Sequence, residues 1–383
     1  MHFNAKIAVT FLQLCLRRGQ FGKRLRDKGN GMADEDMAIE RKKRGPDRQS
    51  RSMGVNMDDI ARLASVSKPT VSRVLNGSPL VNAETRERVL EVARTHGYAV
   101  NRNAQKLRQL RTDTIAVMLD FGAQRGGSIA DPFVFELLAG VSEALSVRHQ
   151  DLLLSPTGTT DARSCQDLLR SRVADGFIFL GQGNREGLLR DLARTDVPFV
   201  VWGAVDPENS YCAVGSDNRL GGALTAARFL RRGARRWLFV GDTSHGEIRL
   251  RYEGLVETAR EANAGVTVDQ LTIERMAYAA TYAAAKTYLA DHPKPDAVFC
   301  FSDTAAMAVI SAFREAGHIA PRDYALVGYN NIPPAAHFTP AITTIEQETH
   351  IAGSILVEKL MQQIEGGRAK STMLPTRLIE RET

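Results

Sequence analysis

From Asp113 onward the chain alternates short apolar runs with amphipathic segments, and few folds accept that pattern. The runs fall at Ile115–Leu119, Leu152–Leu154, Phe177–Leu180, Phe199–Trp202, Leu238–Val240, Val298–Phe301 and Ala325–Val327. Segments of helical period lie between most of them, among them Phe133–Val147, Leu220–Leu230, Glu253–Ala264 and Thr304–Ala316. A strand that is apolar at consecutive positions must be covered on both faces, and parallel pairing needs the crossover that a helix supplies. The class is therefore α/β with parallel sheets. A stretch of roughly 270 residues is long for one such unit. The pattern predicts two subdomains with a cleft between them, lined by the carboxyl ends of the strands, where open α/β sheets bind ligands.

Charge divides the chain differently. Residues 1–54 carry a net +7, residues 55–111 a net +5 and residues 112–383 a net −6. A basic front end on an acidic body points to nucleic acid or another anionic surface as a partner of the N-terminal part. Residues 1–54 lack a periodic pattern and read as a disordered basic extension, with Arg41-Lys42-Lys43-Arg44 either a solvated cluster or a set of phosphate contacts. The apolar stretch from Ile7 to Leu16 is interrupted by Gln13 and is followed by no small-residue cleavage site, so it makes a poor signal peptide. Internal methionines at Met32, Met37, Met53 and Met57 allow a later start. No apolar run approaches the ~20 residues of a membrane span. Cys15, Cys165, Cys212 and Cys300 lie far apart without a CxxC pair, which excludes a disulfide scaffold or zinc ribbon and fits a reducing cytoplasm.

Residues 55–98 read as three short helices. Asn56 can cap the first, with Asp58 and Asp59 at its positive end and Ile60, Leu63 and Ala64 as its apolar stripe. Ser67 can cap the second, where Pro69 is tolerated because it falls in the first turn. Asn76-Gly77 stop that helix; Asn82 caps a third, which Gly97 ends. In the second helix Val71, Val74 and Leu75 face inward, leaving the polar start exposed. Such a helix can lay its first residues against base edges in a major groove, with Arg73 in reach of a guanine. The spacing alone also fits a small three-helix cap packed on the body.

The residues themselves narrow the choice. Met57-Asp58-Asp59-Ile60-Ala61, Val66-Ser67-Lys68-Pro69-Thr70-Val71-Ser72-Arg73-Val74-Leu75-Asn76-Gly77 and the continuation from Thr85 through Gly97-Tyr98 to Leu107 resemble the headpiece of the lactose-repressor/galactose-repressor (LacI/GalR) family of bacterial transcription regulators. The resemblance runs from about Val55 to the C-terminus and leaves residues 1–54 unexplained. It implies a helix-turn-helix headpiece over 55–100, a hinge helix and linker over 101–112, and a two-subdomain core over 113–383 with the type I periplasmic-binding-protein fold. By this resemblance Lys68 and Pro69 select the operator sequence. Arg73 reads a base, and Ser67, Thr70, Asn76 and Thr85 face phosphates. Asn101, Arg102 and their neighbours to Lys106 form the hinge, and Leu107 wedges into the minor groove. Val100 replaces the usual proline, which makes the start of the hinge less stiff.

In the core the markers are Asp131-Pro132-Phe133, Asp175-Gly176, Asp217-Asn218 with Gly221-Gly222, Arg251 before Gly254, Ser302-Asp303, Gly328-Tyr329-Asn330-Asn331 and Thr343-Thr344-Ile345. Arg251 matches the effector-gripping arginine, whose fork suits paired hydroxyls or a carboxylate; judged alone it would be a surface residue. Ser302, Asp303 and Asn330 fall at strand ends facing the expected cleft. Asn330 stands where many relatives have aspartate, which disfavours a cationic effector and leaves a neutral sugar undisturbed. Asp120, Phe121, Phe133 and Trp202 add polar and stacking contacts, with a place in the core open as the other reading of Trp202.

The implied protein is a cytoplasmic, sequence-specific DNA-binding regulator, a repressor by type, with no cofactor and no metal. It acts as a homodimer on a palindromic operator, since one headpiece reads one half-site. The last strand is followed by no leucine heptad of the kind that tetramerises some relatives. A small molecule, a sugar by the resemblance, closes the cleft and changes the spacing of the two headpieces. Two rivals from other classes are weaker. A sugar-binding transport protein would share the core but needs an export signal and has no use for residues 55–107. A sugar-processing or nucleotide-dependent enzyme lacks its residues, because the chain has no GxGxxG after a strand, no GxxxxGKS/T, no GxSxG and no HExxH.

Overall fold

The computed structural model describes residues 55–75, 78–98, 111–119, 131–155, 161–183, 185–273 and 275–383. They fall into two compact units, one within residues 1–99 and one within 100–383. In the first, helix α1 (Met57–Leu63) opens with a reciprocal capping box. Asn56 Oδ1 accepts from the amides of Asp58 (2.8 Å) and Asp59 (3.0 Å), and Asp59 Oδ2 accepts from the Asn56 amide at 3.1 Å. A cap of this kind stabilises by about 1 kcal/mol. Ser65, at φ 52°, makes the turn into α2 (Lys68–Leu75). The Thr70 amide donates to Ser67 Oγ at 3.3 Å. In α3 (Ala83–Thr95) the Thr85 amide donates to Asn82 Oδ1 at 2.8 Å, and Gly97 at φ +60° follows its end. Ile60, Ala64, Val71, Val74 and Val89 form the small shared core. All three expected caps, Asn56, Ser67 and Asn82, accept from the first turns of their helices; Asn76 and Gly77 lie outside the described residues.

The second unit contains two six-stranded sheets. The first comprises β1 (Thr114–Leu119), β2 (Asp151–Ser155), β3 (Gly176–Leu180), β4 (Phe199–Trp202), β5 (Ala213–Ser216) and the late strand β11 (Thr372–Leu374), in the order β11-β5-β4-β3-β1-β2 and parallel throughout. Helices α4 (Pro132–Val147) and α12 (Thr349–Ile364) cover one face, burying Ile115, Val117, Ile178 and Val200 against Val141, Leu356 and Leu360. On the other face Ala116, Met118, Phe177 and Phe179 meet Cys165 of α5 (Ala162–Arg170) and Leu189 and Leu192 of α6 (Glu186–Leu192). Successive residues along one strand enter two separate cores, which is why these runs are continuously apolar.

The second sheet comprises β6 (Arg236–Val240), β7 (Thr267–Leu271), β8 (Ala297–Cys300), β9 (Ala325–Asn330), β10 (Thr344–Glu346) and β12 (Arg377–Ile379), in the order β12-β10-β9-β8-β6-β7. Helices α7 (Asn218–Arg231), α8 (Gly246–Glu261), α9 (Tyr278–Asp291), α10 (Asp303–Glu315) and α11 (Pro333–His337) accompany it. Only β12 departs from the parallel expectation, pairing antiparallel with β10. The seven expected runs are all strands, but β5, β7, β10, β11 and β12 are additional. β7 is an edge strand whose sequence, Thr-Val-Asp-Gln-Leu, is largely polar, and the last three have three residues each, too few to show a period.

The chain passes between the sheets after β5, after β10 and after β11, and the three passages are tied to one another. The Asp217 amide donates to Thr376 Oγ1 at 2.9 Å and Ser216 Oγ donates to Gln347 Oε1 at 2.6 Å. Arg377 binds Glu346 (2.6 Å) and Glu348 (2.5 Å), the latter in a left-handed conformation at φ 50°.

Candidate DNA-reading surface and effector site

On the headpiece, helical spacing sends Val71 and Val74 into the core and leaves Ser67, Lys68, Pro69 and Arg73 exposed on one side of α2. Thr70 is half-buried and shares a hydrogen bond with Ser67, Oγ to Oγ1 at 2.9 Å. Thr85 is half-buried in the first turn of α3. Lys68 Nζ donates to Asp58 Oδ2 at 2.7 Å. The other expected DNA contacts, Asn76, Asn101, Arg102 and Leu107, lie outside the described residues, as do Asp120 and Phe121 of the expected effector site.

In the second unit the site is built around Arg251. Helices α7 and α8 pack so closely that a Cβ on Gly222 would lie 2.0 Å from the Arg251 carbonyl oxygen, and one on Gly254 would lie 2.0 Å from that of Arg219. This approach sets Arg251 beside the start of α7. Its Nε donates to Asn218 Oδ1 at 2.8 Å, its Nη1 to the Phe301 carbonyl at 2.7 Å, and its guanidinium lies 3.6 Å from the centroid of the Tyr329 ring. Burial raises the Tyr329 phenol, so it stays protonated, and its hydroxyl donates to Asn218 Oδ1 at 3.4 Å. Arg251, expected on its own merits at the surface, is only 7% exposed. A buried guanidinium fixed on two sides is a pre-set donor fork.

The strand ends converge near it. Asn330, at the end of β9 with φ 106°, accepts from Gln347 Nε2 at 2.6 Å. Ser302 caps α10 by accepting from the Ala305 amide at 3.2 Å. Phe133, at the start of α4, packs on the cores of both sheets, and its ring centroid is 6.0 Å from that of Trp202. Trp202 is 3% exposed and belongs to the core of the first sheet. Of the two readings of this residue, the core is the one realised.

Asp303 requires a correction. It does not face the cleft but is fully buried, with Oδ2 accepting from the Ile332 amide at 2.9 Å and Oδ1 from Thr344 Oγ1 at 2.5 Å. Desolvation pushes its carboxyl up to about 7. One oxygen holds the segment just after Asn330 and the other holds the start of β10, so the residue supports the position of Asn330. A Cβ on Gly328 would fall 2.2 Å from Asp303 Oδ1, so a glycine is needed there.

Four polar residues that sequence reading had not assigned to the site also line this region. Asn218 links Arg251 to the first passage, its Nδ2 donating to the Ser216 carbonyl at 3.1 Å. Gln347 joins Ser216 to Asn330. Gln182, after β3, is clamped to Ala204 through both its oxygen (3.0 Å) and its nitrogen (3.2 Å). His245, before α8, lies 3.8 Å from the Asp242 carboxylate. A Cβ on Gly246 would lie 3.7 Å from Gln182 Oε1, so the carboxyl ends of the two sheets approach each other here. Asn218 was visible within a marker pair, whereas a lone Gln347 in sequence carries no signature. Among the described residues no three His, Cys, Asp or Glu are grouped to hold a metal ion, and no helix is long and apolar enough to cross a membrane.

Comparison with known proteins places these parts. Residues 56–101 match the family "Bacterial regulatory proteins, lacI family", and residues 226–383 match "Periplasmic binding protein-like domain". The HTH-type transcriptional regulator CelR of Thermobifida fusca is 31% identical over 337 residues, covering 85% of this chain and 97% of the relative. The HTH-type transcriptional repressor PurR of Photobacterium profundum is 31% identical over 315 residues, covering 80% and 91%. Among solved structures, the complex of the transcriptional regulator CelR with cellobiose matches at 30% identity with a TM-score of 0.61, covering 86% of this chain and 99% of that one. The lac repressor dimer bound to operator and the anti-inducer ONPF shares the fold, at 22% identity and a TM-score of 0.75 over 86% and 99% of the two chains. The chain belongs to the lacI family of bacterial regulatory proteins and is a DNA-binding transcriptional regulator.

Proposed function

We propose that this regulator acts in the cytoplasm as a homodimer on a two-fold operator, by binding and not by catalysis, and that a small neutral sugar sets its operator affinity. Ser67, Lys68, Pro69, Thr70, Arg73 and Thr85 contact the half-site, together with Asn76 and the 101–112 hinge. The sugar binds among Phe133, Arg251, Ser302 and Asn330, with Asn218 and Gln347 holding them in place. One observation carries this reading: the buried Arg251 fork, set between Asn218, the Phe301 carbonyl and the Tyr329 ring at the strand ends. Such a fork suits paired hydroxyls, and Asn330 offers an amide where a carboxylate would favour a cation. CelR, a relative of this chain, is known in complex with cellobiose.

A thermal-shift screen with cellobiose and a panel of monosaccharides tests the proposal, because a ligand bound only to the folded state raises the melting temperature. One saccharide is expected to raise it by several degrees at millimolar concentration. Arg251→Ala, checked for folding by circular dichroism, should lose that shift and keep operator binding in the absence of sugar. An unchanged shift in the variant would place the ligand elsewhere.

A further inference from the structure

Two adjacent aspartates open α1 and favour its positive end, but only one of their side chains takes part in the cap. Asp59 completes the capping box and bridges Arg62 at 3.0 Å. Asp58 instead points across the turn to Lys68, the first residue of α2, with Nζ to Oδ2 at 2.7 Å. Both side chains of that pair are more than half exposed, at 52% for Lys68 and 66% for Asp58. An exposed ion pair contributes little to stability, and an anion beside the DNA-reading end of α2 repels phosphates on every sequence. Asp58 also favours the positive end of α1, as any acidic side chain there would, and that task leaves its turn toward Lys68 unexplained.

We propose that Asp58 and Lys68 act as one unit that reads a single G·C base pair, with guanine on the Lys68 side. This rests on the reading of α2 as the element that enters the major groove. The pair presents a donor and an acceptor side by side, 2.7 Å apart. The major-groove edge of G·C presents guanine O6 and N7 as acceptors and cytosine N4–H as a donor. O6 and N4 are themselves hydrogen-bonded at about 2.9 Å, so the two pairs match in polarity and spacing. The ammonium donates to O6 and N7 while the carboxylate accepts from N4–H. The inverted C·G pair sets N4–H against the ammonium and O6 against the carboxylate, and A·T repeats that mismatch through its N6–H. T·A has the right polarity but sets a methyl group where guanine offers N7. The order of preference is G·C, then T·A, then the other two. Asp58 is thus a specificity-determining residue whose general repulsion is offset only at the correct pair.

The test is selection of duplexes from a randomised pool with the full chain. Affinities then follow at one fixed salt concentration for the wild type, Asp58→Ala, Asp58→Asn and Lys68→Ala, on the selected site, its three single-pair variants and random duplex. The wild type should select G·C at one position per half-site. Asp58→Ala should bind the selected site about tenfold more weakly and lose most of its discrimination there, while binding random duplex more tightly. Asp58→Asn keeps an acceptor and should retain more discrimination than Asp58→Ala. Lys68→Ala should lose the preference for G·C over T·A. If Asp58→Ala tightens all duplexes by one factor and leaves the base preference intact, Asp58 merely repels phosphate and the proposal falls. If the wild type selects no sequence, the reading of α2 falls with it.

Discussion

Arg251 and Asp303 are both polar, both in the second subdomain and both buried, yet their partners give them different work. Arg251 is held by neutral groups and a ring face, so its charge remains available to a ligand. Asp303 has both oxygens engaged internally. Sequence position showed that each lies near a strand end but not which way its side chain turns, and for Asp303 the expectation was wrong for that reason. Its pKa of about 7 lies above that of an unfolded aspartate, so the folded form binds the extra proton. The stability from this group is full below about pH 4 and is lost as pH rises through about 7. Asp303→Asn mimics the protonated form. Its advantage over the wild type should therefore be larger at pH 8 than at pH 5 by at least about 1 kcal/mol, measured by urea unfolding at the two pH values. An advantage that shrinks from pH 5 to pH 8 would show that the hydrogen bonds of the charged form outweigh its desolvation.

Among elements, the long central strands were legible because two-sided burial leaves no polar position to interrupt the run. The edge strand β7 and the three-residue strands were not, and neither was the return of α12 to the first sheet, which depends on contacts distant in sequence. Two further long-range contacts invite substitution. A Cβ on Gly254 would meet the Arg219 carbonyl at 2.0 Å, so Gly254→Ala should push α7 and α8 apart and destabilise by about 1–3 kcal/mol, with ligand affinity falling as Arg251 shifts. Gln347→Ala removes the Gln347 partner of Ser216 Oγ, which keeps Tyr329, and that of Asn330 Oδ1. A buried acceptor left unpaired costs about 1–3 kcal/mol. The expected outcome is a lower melting temperature and weaker saccharide binding, with operator binding in the absence of sugar retained; equal losses of saccharide and operator binding would reduce Gln347 to a general support.

At the scale of the whole chain, alternation was enough to give two largely parallel sheets, and charge pointed the N-terminal part toward nucleic acid or another anionic surface. Residues 1–53 lie before the lacI match at residues 56–101, and their composition supports no core. Their deletion should change operator affinity by less than threefold; a tenfold loss, about 1.4 kcal/mol, would assign them phosphate contacts. The central claim joins the two ends of the molecule: the ligand held by Arg251 controls the DNA held by the headpiece. It is tested most directly by titrating the selected operator with the full chain, at fixed salt, with and without a saccharide that raises the melting temperature. The account predicts at least a tenfold change in operator affinity for the wild type and none for Arg251→Ala. An operator affinity that stays the same while the saccharide is demonstrably bound would contradict it.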